Sequence, residues 1–159
     1  MNRVGFGFDL HPTTGDRPLI LGGVEVPSAR GLSGHSDADV LAHAVGEALL
    51  GALALGDLGR HFPDTDPRYK GISSLELLGE VSSLVVSLGA RVVNVDATVL
   101  AQSPRLAPWL PEMAKRLAET LGVDAGRVSV KAKSPEGLGL VGREEGIAAF
   151  AVVGVEVSG

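Results

Sequence analysis

The stretch Val4-Gly5-Phe6-Gly7-Phe8-Asp9-Leu10-His11, near the start of the chain, alternates apolar residues with glycine or a polar residue. A period of two is typical of a β-strand, because successive side chains point to opposite faces of the sheet. We therefore predict a half-buried strand over Val4 to Leu10. Asp9 and His11 fall on one face at its end, about 6.6 Å apart along the strand, so two ligands there could hold one ion.

The remaining segments predict an α/β fold, α+β-like in detail: one domain, residues 1–159, with helices packed on one face of a mixed β-sheet. Hydrophobic periodicity and cap signals define these elements. In chain order, they are a hairpin or bulged strand over Leu19–Val26 broken at Gly22-Gly23, a helix capped by Ser36 with an apolar stripe over Val40–Leu53, a helix from a capping box at Ser73–Glu76 to Gly89, a strand over Val92–Leu100 with Val93, Val95, Ala97 and Val99 on one face, a helix over Pro111–Leu121 closed by Gly122, and strands over Val128–Ala132 and Ile147–Val157.

Composition excludes several classes of protein. The chain has no cysteine and a formal net charge of −5, with basic residues that form no stripe. Any metal must therefore be held by His, Asp or Glu, and nucleic-acid binding is disfavoured. No apolar run reaches the roughly 18 residues of a membrane helix, and no secretory signal starts the chain. We expect a cytoplasmic protein without a nucleic-acid or membrane partner.

His43 lies in the predicted first helix and is one of few polar residues near its apolar stripe. With Asp9 and His11 it would give a divalent metal three ligands and an open position, which is typical of a catalytic rather than a structural zinc. Alternatively, His43 is a hydrogen-bonded core histidine and Asp9 caps a turn. Spacing alone leaves both interpretations open.

His35 and Ser36 precede the same helix, where free backbone N–H groups favour an anion such as phosphate. In the alternative interpretation, Ser36 only caps the helix and His35 is exposed.

Two acidic loop segments follow, Asp57–Gly59 and Asp64–Pro67. Their carboxylates could accept hydrogen bonds from sugar or polyol hydroxyls, although Asp-Pro is also an ordinary turn former.

The segment Lys131–Glu136 puts two cations, a hydroxyl and a carboxylate at a strand end. This set suits a diphosphate with Mg²⁺ held by Glu136, or else is a solvated strand end.

The next residues, Gly137–Gly142, match the G-x-G-x-x-G pattern of dinucleotide sites. Another apolar strand follows instead of a βαβ unit, so we reject a dinucleotide site.

Seven motifs run along nearly the whole chain: Gly7–His11, Gly34–Asp37, His43, Ala54–Gly59, Phe62–Asp66, Ala101–Pro104 and Gly142–Ala148. Together, and in this order, they closely resemble the 2-C-methyl-D-erythritol 2,4-cyclodiphosphate synthase family of the non-mevalonate isoprenoid pathway. The resemblance implies a phosphorus–oxygen lyase. Its implied reaction converts 4-diphosphocytidyl-2-C-methyl-D-erythritol 2-phosphate into the cyclic diphosphate and releases CMP.

The same resemblance implies roles for individual residues. Zn²⁺ would be held by Asp9, His11 and His43, and Mg²⁺ or Mn²⁺ by Glu136 through phosphates. The candidate catalytic residues are His35 and Ser134. The implied substrate contacts are Asp9, His11, His35 and Ser36 near the phosphate, Asp57, Leu58, Gly59, Phe62, Pro63, Asp64, Thr65 and Asp66 at the methylerythritol part, Ala101, Gln102, Ser103, Pro104, Arg105, Leu106 and Ala107 at the cytidine, and Lys133, Ser134, Pro135 and Glu136 at the diphosphate.

The resemblance also implies a homotrimer whose active sites lie between subunits, with the zinc side and the cytidine side of one site on different chains. A trimer would cover the apolar surface that this chain has in excess of one small sheet.

Leu140 and Arg143, with Phe8, are expected to line an axial cavity that binds isoprenoid phosphates in some members. The chain departs from the family at Lys133-Ser134-Pro135, where a run of threonines is usual; Ser134 keeps the hydroxyl.

Two rival functions are compatible with the residues. A zinc hydrolase would use a metal-bound water to attack a phosphodiester. A non-catalytic trimeric module would bind a cytidine nucleotide without turnover and without needing Asp9, His11 and His43.

Overall fold

A five-stranded mixed sheet forms the centre of the computed structural model, which describes residues 1–159. The strands are β1 (Asn2–Thr14), β2 (Leu19–Leu21), β3 (Val24–Val26), β4 (Gly31–Leu32), β5 (Ala90–Leu100), β6 (Val128–Lys133) and β7 (Gly146–Val157). Their order in the sheet is β4-β1-β7-β5-β6, while β2 and β3 form a separate hairpin. Only the β5–β6 pair is parallel, so the predicted mixed sheet is confirmed.

Three long helices share one hydrophobic core with the sheet: α1 (Val40–Ala52), α3 (Ser74–Ser87) and α4 (Leu110–Leu121). Two short helices, α2 (Leu58–His61) and α5 (Gly139–Gly142), were not predicted. Gly122 closes α4 with a φ of +68°, as expected for a left-handed C-cap. Because α5 is a single turn followed directly by β7, the rejected dinucleotide motif indeed lacks its βαβ context. No helix is long and apolar enough to cross a membrane.

Helix α1 packs directly on the backbone of β1, and two glycines allow this contact. A Cβ atom added to Gly5 would lie 1.8 Å from the Ala48 carbonyl oxygen, and one added to Gly7 would lie 1.9 Å from the Ala44 carbonyl oxygen. Real side chains cannot occupy such space. The close approach brings the first turns of α1 over the end of β1, where Asp9 and His11 lie.

The buried face of β1 is the glycine face, and the apolar face is open. Val4, Phe6 and Phe8 are 71%, 63% and 48% exposed. Phe150 of β7 lies beside Phe8, with 5.2 Å between the ring centroids, and Val152 extends the same surface. The half-buried strand is therefore confirmed, but its large side chains face away from the core. We call the surface of Val4, Phe6, Phe8, Phe150 and Val152 the open sheet face.

The prediction that Ser36 caps the first helix is wrong. The N-cap is Asp39, whose Oδ1 accepts the Ala42 N–H at 3.0 Å. The same carboxylate accepts the N–H groups of Gly22 and Gly23 at 2.9 and 2.7 Å, so it also holds the turn of the β2–β3 hairpin. This tertiary contact explains why Asp39 caps the helix although Ser36 is an equally good capping residue by type.

Two smaller predictions also need correction. Ser73 is the N-cap of α3, but its side chain makes no capping hydrogen bond, so the predicted capping box does not form. A β-bulge between Val92 and Asn94 shifts the alternation in β5, and Val92 rather than Val93 joins Val95, Ala97 and Val99 in the core.

Candidate active site

The end of β1 and the start of α1 bring Asp9, His11 and His43 together. Asp9 Oδ2 lies 2.9 Å from His11 Nε2 and 3.0 Å from His43 Nδ1, and the two histidine nitrogens are 3.2 Å apart. One carboxylate oxygen and two imidazole nitrogens at this spacing fit a zinc ion, which takes both donor types. The structure therefore brings the three predicted ligands to one point.

The charges of this cluster support its use as a cation site. Burial raises the pKa of Asp9, but hydrogen bonds that His11 and His43 donate in their charged forms outweigh burial and hold the pKa well below its usual value. Burial lowers the pKa of His11, and the neighbouring Asp9 carboxylate outweighs it, so the pKa is raised. Asp9 is thus an anion, and metal binding would displace the protons that these two histidine nitrogens carry in the charged forms of the rings.

The orientation of His11 is set by a backbone group. Its Nδ1 lies 2.9 Å from the Ser33 carbonyl oxygen, which can only accept a hydrogen bond. The proton of a neutral His11 therefore sits on Nδ1, and Nε2 presents its lone pair to Asp9 and His43.

A cavity of about 510 Å³ opens above the three residues. Besides Asp9 and His11, the predicted substrate contacts that line it are His35, Ser36, Leu58, Gly59, Phe62, Pro63 and Asp64. The hydroxyl of Ser36 lies 3.2 Å from His43 Nε2 and is buried, so it faces the histidine. His35 Nε2 donates to the Asp66 carbonyl oxygen at 2.9 Å, which ties the helix entrance to the Phe62–Asp66 loop.

Three residues of the predicted methylerythritol contacts do not line the cavity. Asp57 caps α2 by accepting the Arg60 N–H at 2.9 Å. Asp66 caps the turn Pro67–Tyr69 and pairs with Arg68, which lowers the pKa of its carboxyl. Thr65 is exposed.

The predicted cytidine and diphosphate segments, 101–107 and 133–136, lie away from this cavity. None of their residues lines it. Gln102 and Ser103 instead line a separate recess of about 170 Å³ with Thr13 and Glu144. The Ala101 N–H donates to the Lys133 carbonyl oxygen at 3.1 Å, so the two segments lie beside each other, and the Gln102 side chain accepts the Gly137 N–H at 2.9 Å just beyond them.

The predicted axial residues are only partly brought together. Leu140 shares a small recess with Leu10, while Phe8 and Arg143 do not line it. Arg143 forms an ion pair with Glu145 at 3.1 Å.

Three cavity residues were not identified from the sequence, Glu47, Tyr69 and Leu77, and a fourth, Gly34, belongs to a quoted motif but was given no role. Glu47 lies four residues after His43, so helical spacing could have indicated it. Its carboxylate accepts the Leu58 N–H at 3.0 Å and thereby attaches α2 to α1. Burial raises the pKa of Glu47, the Leu58 N–H opposes this, and the Asp57 and Asp9 charges add to the rise.

An Asp-His-His cluster beneath an open cavity on a mixed α/β sheet is the arrangement of a metal-dependent enzyme that acts on a small ligand. Comparison with known proteins defines the family. The YgbB family model matches residues 2–156, and the chain belongs to this family.

Curated relatives carry one name. A 2-C-methyl-D-erythritol 2,4-cyclodiphosphate synthase of Pelotomaculum thermopropionicum is 57% identical over 157 residues, which cover 99% of this chain and 97% of that protein. One of Syntrophobacter fumaroxidans is 58% identical over 95% of each chain.

Solved structures with a similar fold point to the same family. The bifunctional IspDF of Campylobacter jejuni has a TM-score of 0.95 and 42% identity, and the match covers 99% of this chain and 43% of that one. An IspF–CDP complex from Plasmodium falciparum has a TM-score of 0.86 and 30% identity over 99% of this chain and 97% of that one.

Proposed function

We infer that this protein converts 4-diphosphocytidyl-2-C-methyl-D-erythritol 2-phosphate into 2-C-methyl-D-erythritol 2,4-cyclodiphosphate and CMP. The observation that carries this function is the convergence of Asp9 Oδ2, His11 Nε2 and His43 Nδ1 beneath the cavity. Relatives named for the cyclic diphosphate product, at up to 58% identity, support the product, and the CDP complex of a structural relative supports a cytidine-linked substrate. The reaction breaks a P–O bond without water, which makes the enzyme a phosphorus–oxygen lyase.

The chemistry needs positioning more than a strong base. The 2-phosphate of the substrate is already an anion and attacks the β-phosphorus, a new P–O bond closes the ring, and the bond to CMP breaks with its electrons leaving on the CMP oxygen. The protein must hold two repelling anions in line and offset their charge. His35, on the cavity wall, is suited to contact the 2-phosphate, and Leu58, Gly59 and Phe62 shape the wall for the methylerythritol part.

Two ions are part of this proposal. A Zn²⁺ held by Asp9, His11 and His43 would supply Lewis-acid charge neutralisation at the phosphates. Glu136 is assigned to Mg²⁺ or Mn²⁺ with the diphosphate, since hard divalent cations prefer carboxylate and phosphate oxygens. Lys133 and Ser134 are assigned to the same diphosphate, with the Ser134 hydroxyl as its transition-state contact.

The proposal includes a homotrimer. The open sheet face supports it, because a large apolar surface on a folded chain is usually covered by a partner. The separation of the cytidine and diphosphate segments from the metal cluster supports sites built between subunits, since one chain does not bring both halves to one cavity. Residues 1–159 would act as one synthase domain per subunit, in the cytoplasm.

Product analysis tests this function. The pure protein is incubated with the cytidine-linked substrate, with and without Zn²⁺ and Mg²⁺, in water enriched in ¹⁸O. We expect CMP and a cyclic diphosphate, neither of them labelled, only when the ions are present. Linear phosphates carrying ¹⁸O would instead establish a hydrolase, and binding of CDP without turnover would establish a nucleotide-binding module.

A further inference from the structure

A buried polar cluster contacts the second ring nitrogen of His43. Ser74, the first residue of α3, is 1% exposed, and its Oγ lies 2.8 Å from His43 Nε2. Asp37 accepts both the hydroxyl proton of Ser74 and, at 3.1 Å, its backbone N–H. Neither Asp37 nor Ser74 has a part in the chemistry proposed above.

A count of protons in this cluster determines the direction of each hydrogen bond. An aspartate carboxylate only accepts, and a serine hydroxyl has one proton. Because Ser74 donates its proton to Asp37, the Ser74 oxygen can offer only a lone pair to His43. Nε2 of His43 must then be the donor. Ser36 Oγ, 3.2 Å from the same nitrogen, accepts the Ala38 N–H and can donate its own proton to the Ser74 oxygen at 3.3 Å, so a protonated Nε2 is compatible with this hydroxyl as well.

The protonated Nε2 has a consequence for the opposite nitrogen. A neutral imidazole with its proton on Nε2 carries its lone pair on Nδ1. His43 Nδ1 is the atom 3.0 Å from Asp9 Oδ2 and 3.2 Å from His11 Nε2. The plane of the ring is also fixed, because Asp37 is itself held by the Asp39 N–H at 3.1 Å.

We propose that Asp37 and Ser74 are positioning residues, which fix the tautomer and ring plane of His43 so that its Nδ1 lone pair faces the metal point. They do for His43 what the Ser33 carbonyl does for His11. Hydrogen bonds of this kind behind a ligating histidine usually contribute 10-fold to 100-fold in metal affinity. The inference rests on the metal site of the proposed function.

Zinc affinity of the metal-depleted full-length protein, measured by competition with a chromophoric chelator, is the first test. Ser74→Ala should weaken zinc binding by about 10-fold to 100-fold. Ser74→Thr keeps the hydroxyl and should bind within a few-fold of the wild type. Ser82→Ala is the matched control, since Ser82 is a buried serine of the same helix without a hydrogen bond to His43, and it should bind zinc like the wild type.

Nitrogen NMR of His43 in the zinc-free protein, at alkaline pH, is the second readout, which a purely structural role would not move. The wild type should show the proton on Nε2. Asp37→Ala leaves Ser74 in place but frees its proton to turn toward Nε2, so the population with the proton on Nδ1 should grow. If Ser74→Ala does not fold, Asp37→Ala still tests the positioning role by the same NMR measurement.

The outcomes distinguish a failure of the positioning role from a failure of the metal site. If the wild type binds zinc and Ser74→Ala binds it equally well, or if the His43 proton stays on Nε2 in Asp37→Ala and Ser74→Ala, the positioning role is wrong. If the wild type binds no zinc, the metal site of the proposed function is wrong, and the nitrogen spectra still decide whether Asp37 and Ser74 set the tautomer.

Discussion

At the scale of single residues, one oxygen atom of Asp9 contacts both histidines of the cluster. Its Oδ2 lies within 2.9 Å of His11 Nε2 and 3.0 Å of His43 Nδ1. Each histidine has its other nitrogen engaged, by the Ser33 carbonyl and by Ser74. Three ligand atoms are therefore aimed at one point by hydrogen bonds formed in the folded chain, which reduces the reorganisation that metal binding requires.

Removing one ligand tests the cluster directly. His43→Ala should abolish zinc retention and CMP release together, because two remaining ligands cannot form a catalytic site. Zinc content by elemental analysis and CMP by chromatography are the measurements. An active variant that retains no zinc would contradict the metal assignment.

The raised pKa of Glu47 predicts a pH-dependent stability difference. A carboxyl whose pKa is higher in the folded than in the unfolded chain stabilises the fold below its usual pKa, and this contribution is lost as the pH rises through the raised value. Glu47→Gln removes the charge and can keep the bond to the Leu58 N–H. In the metal-free protein it should therefore be more stable than the wild type at neutral pH, by less than about 1 kcal/mol because solvent screens this half-buried group.

Urea unfolding across the acid-to-neutral range measures this difference, which should shrink as the pH falls. Glu47→Ala is the control: it loses the hydrogen bond to Leu58 and should be less stable than Glu47→Gln at every pH. A stability gain that grows toward acid pH would contradict the sign of the shift.

At the scale of elements, the contact between β1 and α1 positions the cluster. Gly7→Ala would place a methyl group 1.9 Å from the Ala44 carbonyl oxygen, and a backbone atom cannot move aside as a flexible side chain does. We expect a loss of about 3 kcal/mol or more in the free energy of unfolding, as for severe overpacking. Gly15→Ala, with no atom within 4 Å of the new methyl group, should change stability little. Equal stability of the two variants would show that α1 can shift.

At the same scale, contacts between distant parts of the chain decide features that local sequence patterns leave open. The D-x-H spacing at a strand end and a lone histidine in an apolar helix indicate Asp9, His11 and His43 as candidate ligands, but only the family resemblance selects a metal site over a core histidine and a turn cap. Ser36, Asp37 and Asp39 are all good capping residues within four positions, and only the contact with Gly22 and Gly23 selects Asp39. Ser74 reaches His43 across 31 residues of chain, and no local pattern marks such a contact. The bulge that displaces Val93 likewise depends on pairing with β7.

At the scale of the whole molecule, the open sheet face is the surface on which we expect the three chains of the proposed homotrimer to pack. Phe6→Glu would put a charge where three chains are proposed to pack, and burying it unpaired is costly. The mass measured by light scattering should fall from that of three chains to that of one, and CMP release should fall with it if sites are shared.

Val86→Glu is the control for this change, because Val86 is 64% exposed on α3, outside the open sheet face, and the variant should keep the mass of the wild type. A wild type that is monomeric and fully active would rule out the proposed shared sites.

The two glycine contacts on α1 also make the metal cluster a gauge of helix position. Gly7 meets Ala44 and Gly5 meets Ala48, so two steps along the strand are matched to one turn of a helix running the opposite way. The two repeats are nearly commensurate, about 6.6 Å for the strand and about 6 Å for four helical residues. Because His43 directly precedes Ala44, a slip of α1 by four residues would move its ring about 6 Å along the helix axis, away from Asp9. Zinc binding would therefore report that α1 and β1 are aligned in the register that the two glycine contacts define.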